Sequence, residues 1–275
     1  MEAEYALFLE EHLSNLSSET ETDPSITEDV VSDNPDIKDE EDLRKQLQDL
    51  LDNLQLDGTF SSLYTTSQFV NPGLHINTIG SIALPLSSRD ALTIIGRCRK
   101  APFGRKDETV IDENVRRTWE LDAAEFQCLN PAWESYLQRL LKNAVTNLGV
   151  QGTTSCYPYK LLFYEEGAFF KAHRGTEKVP GMFGTLVVCL PSEHTGGQVL
   201  LKHGRKEQTL ETAGLSSFDL SVLAWYSDVQ HEIKPVTSRY RLVWTYNLVQ
   251  DQEQPKQTAA ALDSSHARLK SLLTT

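Results

Sequence analysis

Apolar side chains change their period along this chain of 275 residues, and the change divides it. Leu43, Leu47, Leu50, Leu51 and Leu54 recur at helical spacing with charged residues between them, predicting an amphipathic helix that Gly58 closes. From 69 to 86, short apolar stretches alternate with Asn71-Pro72-Gly73 and Gly80, a pattern of strands and turns. Ser87-Ser88-Arg89-Asp90 reads as the cap of a short helix through Ile95. The segment RCRKAPFGRKDE, residues 97–108, carries five basic side chains around a Pro-Phe-Gly break and reads as a charged loop. It is either a solvated surface segment or a flap over a pocket that favours an anionic substrate or docks the acidic tail. A longer helix opens at Asn130-Pro131, because Trp133, Tyr136, Leu137, Leu140, Leu141, Ala144, Val145 and Leu148 repeat at helical spacing up to Gly149. Beyond Gly152 the period becomes that of strands: YKLLFYEE, MFGTLVVCLP, QVLLKHG, SVLAWYSD and YRLVWTYNLV, separated by glycine-containing or polar turns. Short strands without long helices between them predict a mostly β chain built on an antiparallel barrel or sandwich, followed by a weak helix around 259–273.

Charge sets the N-terminal region apart. Residues 1–50 hold 16 acidic against 3 basic side chains, whereas the remaining 225 hold 23 of each sign. Ser14 to Asp42 is rich in Ser, Thr, Asp, Glu and Pro, with too little apolar surface to offset the entropy of ordering. The expected organisation is an acidic disordered tail over 1–42, a folded body over 43–249 and a polar tail over 250–275. A neutral body lacks the electrostatic footprint of a nucleic-acid coat. No run approaches 18 apolar residues and the first fifteen are acidic, so neither a membrane span nor a secretion signal is expected, and the location inferred is cytoplasmic or nuclear. Cys98, Cys128, Cys156 and Cys189 stand 28 to 33 residues apart without a C-x-x-C pair, which excludes the usual zinc-ribbon and iron–sulfur spacings and leaves reduced, buried thiols.

The common hydrolase, zincin and nucleotide signatures are absent from the sequence. Two histidines in a β context remain: His173, in FYEEGAFFKAHRGTEK, and His231, 58 residues later in WYSDVQHEIKPVTSRYRLVW. His194 and His203 sit beside glycines and read as solvent-facing loop histidines. Trp225, Tyr226, Trp244 and Tyr246 read as core aromatics, with a stacking role for one of them left open. Arg116, Arg117 and Trp119 precede a strand and either border a pocket or form a salt-bridged surface.

The segment from about 157 to 249 resembles the double-stranded β-helix of the iron(II)/2-oxoglutarate dioxygenases, in particular their prolyl 4-hydroxylase-like branch and a set of fungal proteins with this domain. That branch carries Y-x-x-G-x-x-(aromatic)-x-x-H-x-D, matched by Tyr164, Gly167, Phe170 and His173, with Gly175 in the last place. Thr185 precedes Gly196-Gly197 by the expected eleven residues, and His231, Pro235, Val236 and Arg241 match H-x-x-x-P-V-x-x-G-x-(K/R), with Arg239 where glycine is usual. The resemblance implies an α+β chain with a jelly-roll or cupin-like core on an N-terminal helical support. It implies iron(II) held by His173 and His231, and 2-oxoglutarate whose far carboxylate is taken by Arg241 with hydroxyl help from Tyr164 and Thr185. Ascorbate is an optional auxiliary, and the expected partner is a small-molecule or peptide substrate undergoing hydroxylase-type oxidation.

Gly175 breaks this pattern, because glycine has no side chain to coordinate a metal. Three readings stand side by side: an oxygenase-like scaffold with weak or no turnover, serving as a binding module; a vacated ligand position that accepts water or an anion, as in halogenases; or a rescue in which Glu177, two residues on, reaches the metal.

Overall fold

A computed structural model describes residues 44–45, 58–105, 108–250 and 256–264. The chain divides into two units, 1–46 and 47–275. Of the first, Arg44 and Lys45 are described and are helical. The acidic tail and the rest of the helix expected over 43–54 lie outside the described residues, as does the end of the helix expected over 259–273, which is helical from 259 to 264. No described helix is long and apolar enough to cross a membrane.

In the second unit the apolar strand sequences pair into two large antiparallel sheets. Their twelve strands among the described residues are numbered in chain order: β1 (Ser61–Thr66), β2 (Arg99–Lys100), β3 (Arg116–Arg117), β4 (Trp119–Asp122), β5 (Thr154–Tyr164), β6 (Phe169–Arg174), β7 (Met182–Cys189), β8 (Val199–His203), β9 (Lys206–Leu210), β10 (Leu220–Tyr226), β11 (Gln230–Ile233) and β12 (Arg241–Gln250). The larger sheet has the order β1-β10-β7-β12-β5-β4-β2 and the smaller β9-β8-β11-β6-β3. From β5 onward the chain passes back and forth between the sheets, and this alternation is the double-stranded β-helix, a jelly roll.

Strands β7, β10 and β12 are buried almost throughout rather than on alternate residues. The reason is a third layer. Helix α1 (Ser88–Ile95) and helix α2 (Ala132–Leu148) are two of the predicted helices, and α2 packs against β1 and β10. Trp133 of α2 stacks on Trp244 with ring centroids 6.1 Å apart and 6° between planes, and the Tyr226 hydroxyl donates to the Leu148 carbonyl at 2.7 Å. A strand covered on both faces reads as a continuous apolar run. The helix ends follow their sequence signals. Ser87 caps α1 by accepting from the Asp90 amide at 3.1 Å, and Gly149, at φ +74°, closes α2 in the left-handed conformation that favours glycine.

Segment 97–108 is not the charged loop its composition suggests. Arg99 and Lys100 form β2 against Trp119 and Glu120, and Phe103–Arg105 pairs with Glu108–Val110. The charges are accommodated because β2 is an edge strand: Arg99 reaches Glu120, Asp122 and Glu125, while Lys100 reaches Glu113 and lies over the Trp119 ring. The four cysteines are free thiols, as expected, although only Cys189 is fully buried and the other three are half-buried. Burial pushes Cys98, Cys128 and Cys156 up to about 12 and also raises Cys189.

Candidate functional site

Alternate residues of the facing strands point between the two sheets, where they enclose a cavity of about 320 Å³. That is the low end of the ~300–1,000 Å³ of small-molecule sites. Arg241, Val243, Thr245 and Asn247 of β12, Lys160, Leu162 and Tyr164 of β5, and Thr185 and Val187 of β7 line one wall. His173 of β6 and His231 and Ile233 of β11 line the other. The cavity thus brings together all five residues implied by the sequence resemblance: His173, His231, Arg241, Tyr164 and Thr185.

His173 and His231 are direct partners in the β6–β11 ladder, and their ring centroids are 4.0 Å apart. Nδ1 of His173 lies 2.8 Å from the Lys171 carbonyl, and Nδ1 of His231 lies 3.5 Å from that of Val229. A carbonyl only accepts, so the proton sits on Nδ1 and Nε2 keeps its lone pair. Phe170 stacks on His173 at 3.6 Å and Trp225 tilts against His231 at 5.0 Å. Enclosure of the rings lowers His173 to about 4 and holds His231 well below its ordinary value, each with smaller contributions from neighbouring cations or the other imidazole. Both rings are therefore neutral near pH 7, the form that binds metals.

Arg241 is 1% exposed, yet no acid lies within ion-pair distance of it among the described residues. Its Nη2 donates to Cys189 Sγ at 3.4 Å, the guanidinium stands 5.5 Å over the Tyr164 ring, and its buried Nε has no partner. An uncompensated buried cation costs several kcal/mol, so the site is built for an anion. The Gly196-Gly197 turn makes room for this side chain: Gly197 has φ +72°, and a Cβ there would lie 3.3 Å from Arg241 Cδ.

Gly175 lines the same cavity. Glu177 does not. One of its oxygens accepts from Lys256 at 2.6 Å and the other from the Gly181 amide at 3.1 Å, so Glu177 is engaged outside the cavity. No cluster of three metal-ligating His, Cys, Asp or Glu residues occurs among the described residues. The residues present therefore fit a carboxylate ligand at Arg241, whereas for iron they offer two imidazoles and no acid, short of the facial set of three.

His194 is also corrected. It is 3% exposed rather than solvent-facing, its Nδ1 donates to the Ser192 carbonyl at 2.8 Å, and burial lowers it to about 4. The apparent turn around it is a ribbon, His194–Gly196 paired with Val236–Arg239. His203 is half-buried, with Nε2 3.3 Å from an Asp263 oxygen. Of the four aromatics, Trp225 reaches the cavity, while Tyr226, Trp244 and Tyr246 belong to the core. Arg116 borders the cavity, donating to the Pro102 carbonyl at 2.6 Å and lying 4.6 Å over Phe170, and Pro102, Phe103 and Gly104 line it beside Arg116. Trp119 instead donates to Glu165 at 2.9 Å. Sequence reasoning missed Lys160, Thr245 and Asn247, although counting in twos from Tyr164 and Arg241 finds them.

No family model and no curated protein matches the chain. Solved structures do. A prolyl-4-hydroxylase from Pseudomonas putida is 18% identical, with 74% of this chain and 99% of that chain covered and a TM-score of 0.40. A Trichoplax adhaerens prolyl hydroxylase in complex with a hypoxia-inducible-factor peptide is 15% identical, with 77% and 92% covered and a TM-score of 0.41. A 2OG-Fe(II) family oxidoreductase from Burkholderia pseudomallei is 13% identical, with 74% and 90% covered and a TM-score of 0.36. The fold itself rests on the strand order above.

Proposed function

We propose that the chain is an iron(II)- and 2-oxoglutarate-dependent dioxygenase-like protein whose cosubstrate pocket is complete and whose metal position lacks its acid. The observation that carries this reading is the buried, acid-free Arg241 in one cavity with the paired imidazoles. Arg241 presents a planar fork to the far carboxylate of 2-oxoglutarate, and the hydroxyls of Tyr164 and Thr185 donate to the same group. His173 and His231 offer Nε2 lone pairs toward the 2-oxo end. Iron would supply the oxidation of a bound substrate, and with two protein donors it is held weakly, so hydroxylase-type turnover is attenuated. A second reading, a binding module without turnover, is favoured by the absence of a third ligand among the described residues.

Calorimetry on the full chain with 2-oxoglutarate tests the first half. Arg241→Met should weaken binding by at least ~100-fold, the lower end of what breaking a buried charge pair costs. Equal binding by native and variant chains removes the proposal. Succinate release with iron(II), with and without chloride, decides the second half. Turnover without chloride supports attenuated hydroxylation, chloride-dependent turnover supports an anion beside Gly175, and 2-oxoglutarate binding without succinate supports the binding module.

A further inference from the structure

The cavity is lined by five cationic side chains, Arg116, Lys160, Arg174, Lys178 and Arg241, and by no carboxylate among the described residues. Two of the five are accounted for. Arg241 faces the proposed cosubstrate, and Lys160 pairs with Glu120 and Asp122. Arg174 and Lys178, both exposed at the mouth, have no ion-pair partner among the described residues, and Arg116 keeps a buried Nε without an acceptor. Lys178 is held below its ordinary range by burial first and then by repulsion from Lys160 and Arg116. Lys178 thus senses Lys160 and Arg116 rather than an acid.

Their position matters as much as their sign. Tyr164 pairs with Arg241 and Lys160 with Thr245, so Lys160 lies four residues along β5 from the Arg241 end. At ~3.3 Å per residue that is about 13 Å. A five-carbon diacid spans only ~5–6 Å between carboxyl carbons at ~1.5 Å per bond. One molecule of 2-oxoglutarate on Arg241 therefore does not reach Lys160, and Arg116, Arg174 and Lys178, which line the same cavity, remain without an acid among the described residues.

We propose that the cavity end bounded by Arg116 and Lys178, with Arg174 at the mouth, is a substrate subsite for a carboxylate. The molecule this protein acts on brings its own acidic group, which enters beside the cosubstrate. The assignment of substrate rests on the dioxygenase-like reading, while the anion site itself stands on the cations alone. The carboxylate belongs either to a small free acid or to a glutamyl or aspartyl side chain in a peptide.

Two probe pairs that differ in one charge separate these sources: acetylglycine against acetylglycinamide, and acetyl-Ala-Glu-Ala-amide against its Gln counterpart. Binding to the full chain is read by ligand-observed NMR with saturating 2-oxoglutarate. In at least one pair the acid should bind about tenfold more tightly than the amide. Lys178→Met should erase that preference and Lys178→Arg should keep it. Equal binding of acid and amide in both pairs, or a preference that survives Lys178→Met, overturns the proposal. A native chain that prefers the acids yet ignores 2-oxoglutarate leaves the anion site standing and removes the dioxygenase-like reading.

Discussion

On the proposed reading, replacing Gly175 by aspartate puts a negatively charged donor into the cavity that holds the imidazole pair, and the structure sets the expected size of the effect. Gly175 does not adopt a positive φ, so a side chain costs no backbone strain. A Cβ there meets the Ser227 carbonyl oxygen at 3.4 Å and Ser227 Cα at 3.5 Å, ordinary van der Waals contact. The fold should therefore accept Gly175→Asp within about 1 kcal/mol, as for substitutions without a named structural fault. Losing an outer partner of a metal ligand typically costs ~10–100-fold in metal affinity, so gaining a direct anionic ligand should tighten iron(II) binding by at least that factor. At an effective dielectric of 20, two unit charges 4 Å apart attract by ~4 kcal/mol, which leaves room for such a gain after desolvation. Anaerobic calorimetry with iron(II), followed by succinate quantification, measures both consequences. Gly175→Asn, of similar shape but uncharged, should give less than about a tenth of the aspartate gain. Should the aspartate chain be folded by circular dichroism yet bind iron no better than the asparagine chain, position 175 is not the ligand position and the metal reading fails.

Stability should depend on pH through the buried histidines. His173 and His194 are lowered to about 4, against ~6.5 in the unfolded chain, so the unfolded state takes up protons first as pH falls. The urea midpoint should be level above about pH 7 and decline between roughly 6.5 and 4, with a shallower decline in His194→Asn. A midpoint flat across that window contradicts the burial of these rings as neutral species. Gly197→Ala combines a positive φ with a Cβ 3.3 Å from Arg241 Cδ, so it should weaken 2-oxoglutarate binding in calorimetry by more than it weakens iron(II) binding. Equal effects on both would detach the glycine turn from Arg241. Leu140→Ala, in the 4%-exposed face of α2, should cost ~2–5 kcal/mol in denaturant unfolding, and a cost below 1 kcal/mol would mean that α2 is not the layer covering the larger sheet.

The sequence disclosed most where one physical rule acted alone. The period of α2 and the glycine after it suffice to mark its ends. The runs at 182–191 and 240–249 are strands because short apolar runs rich in Val and aromatics have few other places to go. The cavity residues matched by the resemblance converge because each occupies a strand position whose neighbours two residues away also face inward. Where tertiary pairing overrode local composition, reading failed. Arg99–Lys100 read as part of a charged loop, yet they complete the larger sheet as an edge strand. His194 looked exposed because a glycine turn follows it, whereas pairing with Val236–Arg239 and contacts from Thr212 and Ser216 enclose it. Glu177 stood at the correct sequence interval to replace the missing acid, but Lys256, far away in sequence, claims it.

Gly175 follows the last residue of β6, outside the ladder that sets His173 against His231, whereas Arg241 is sealed within the larger sheet. A side chain at the first place meets only ordinary contacts. A change at the second opens a hole in the interior. The two halves of the pocket are thus unequally guarded: position 175 lies where a side chain meets only ordinary contacts, while the arginine that would seat a diacid is tied to the integrity of the barrel itself.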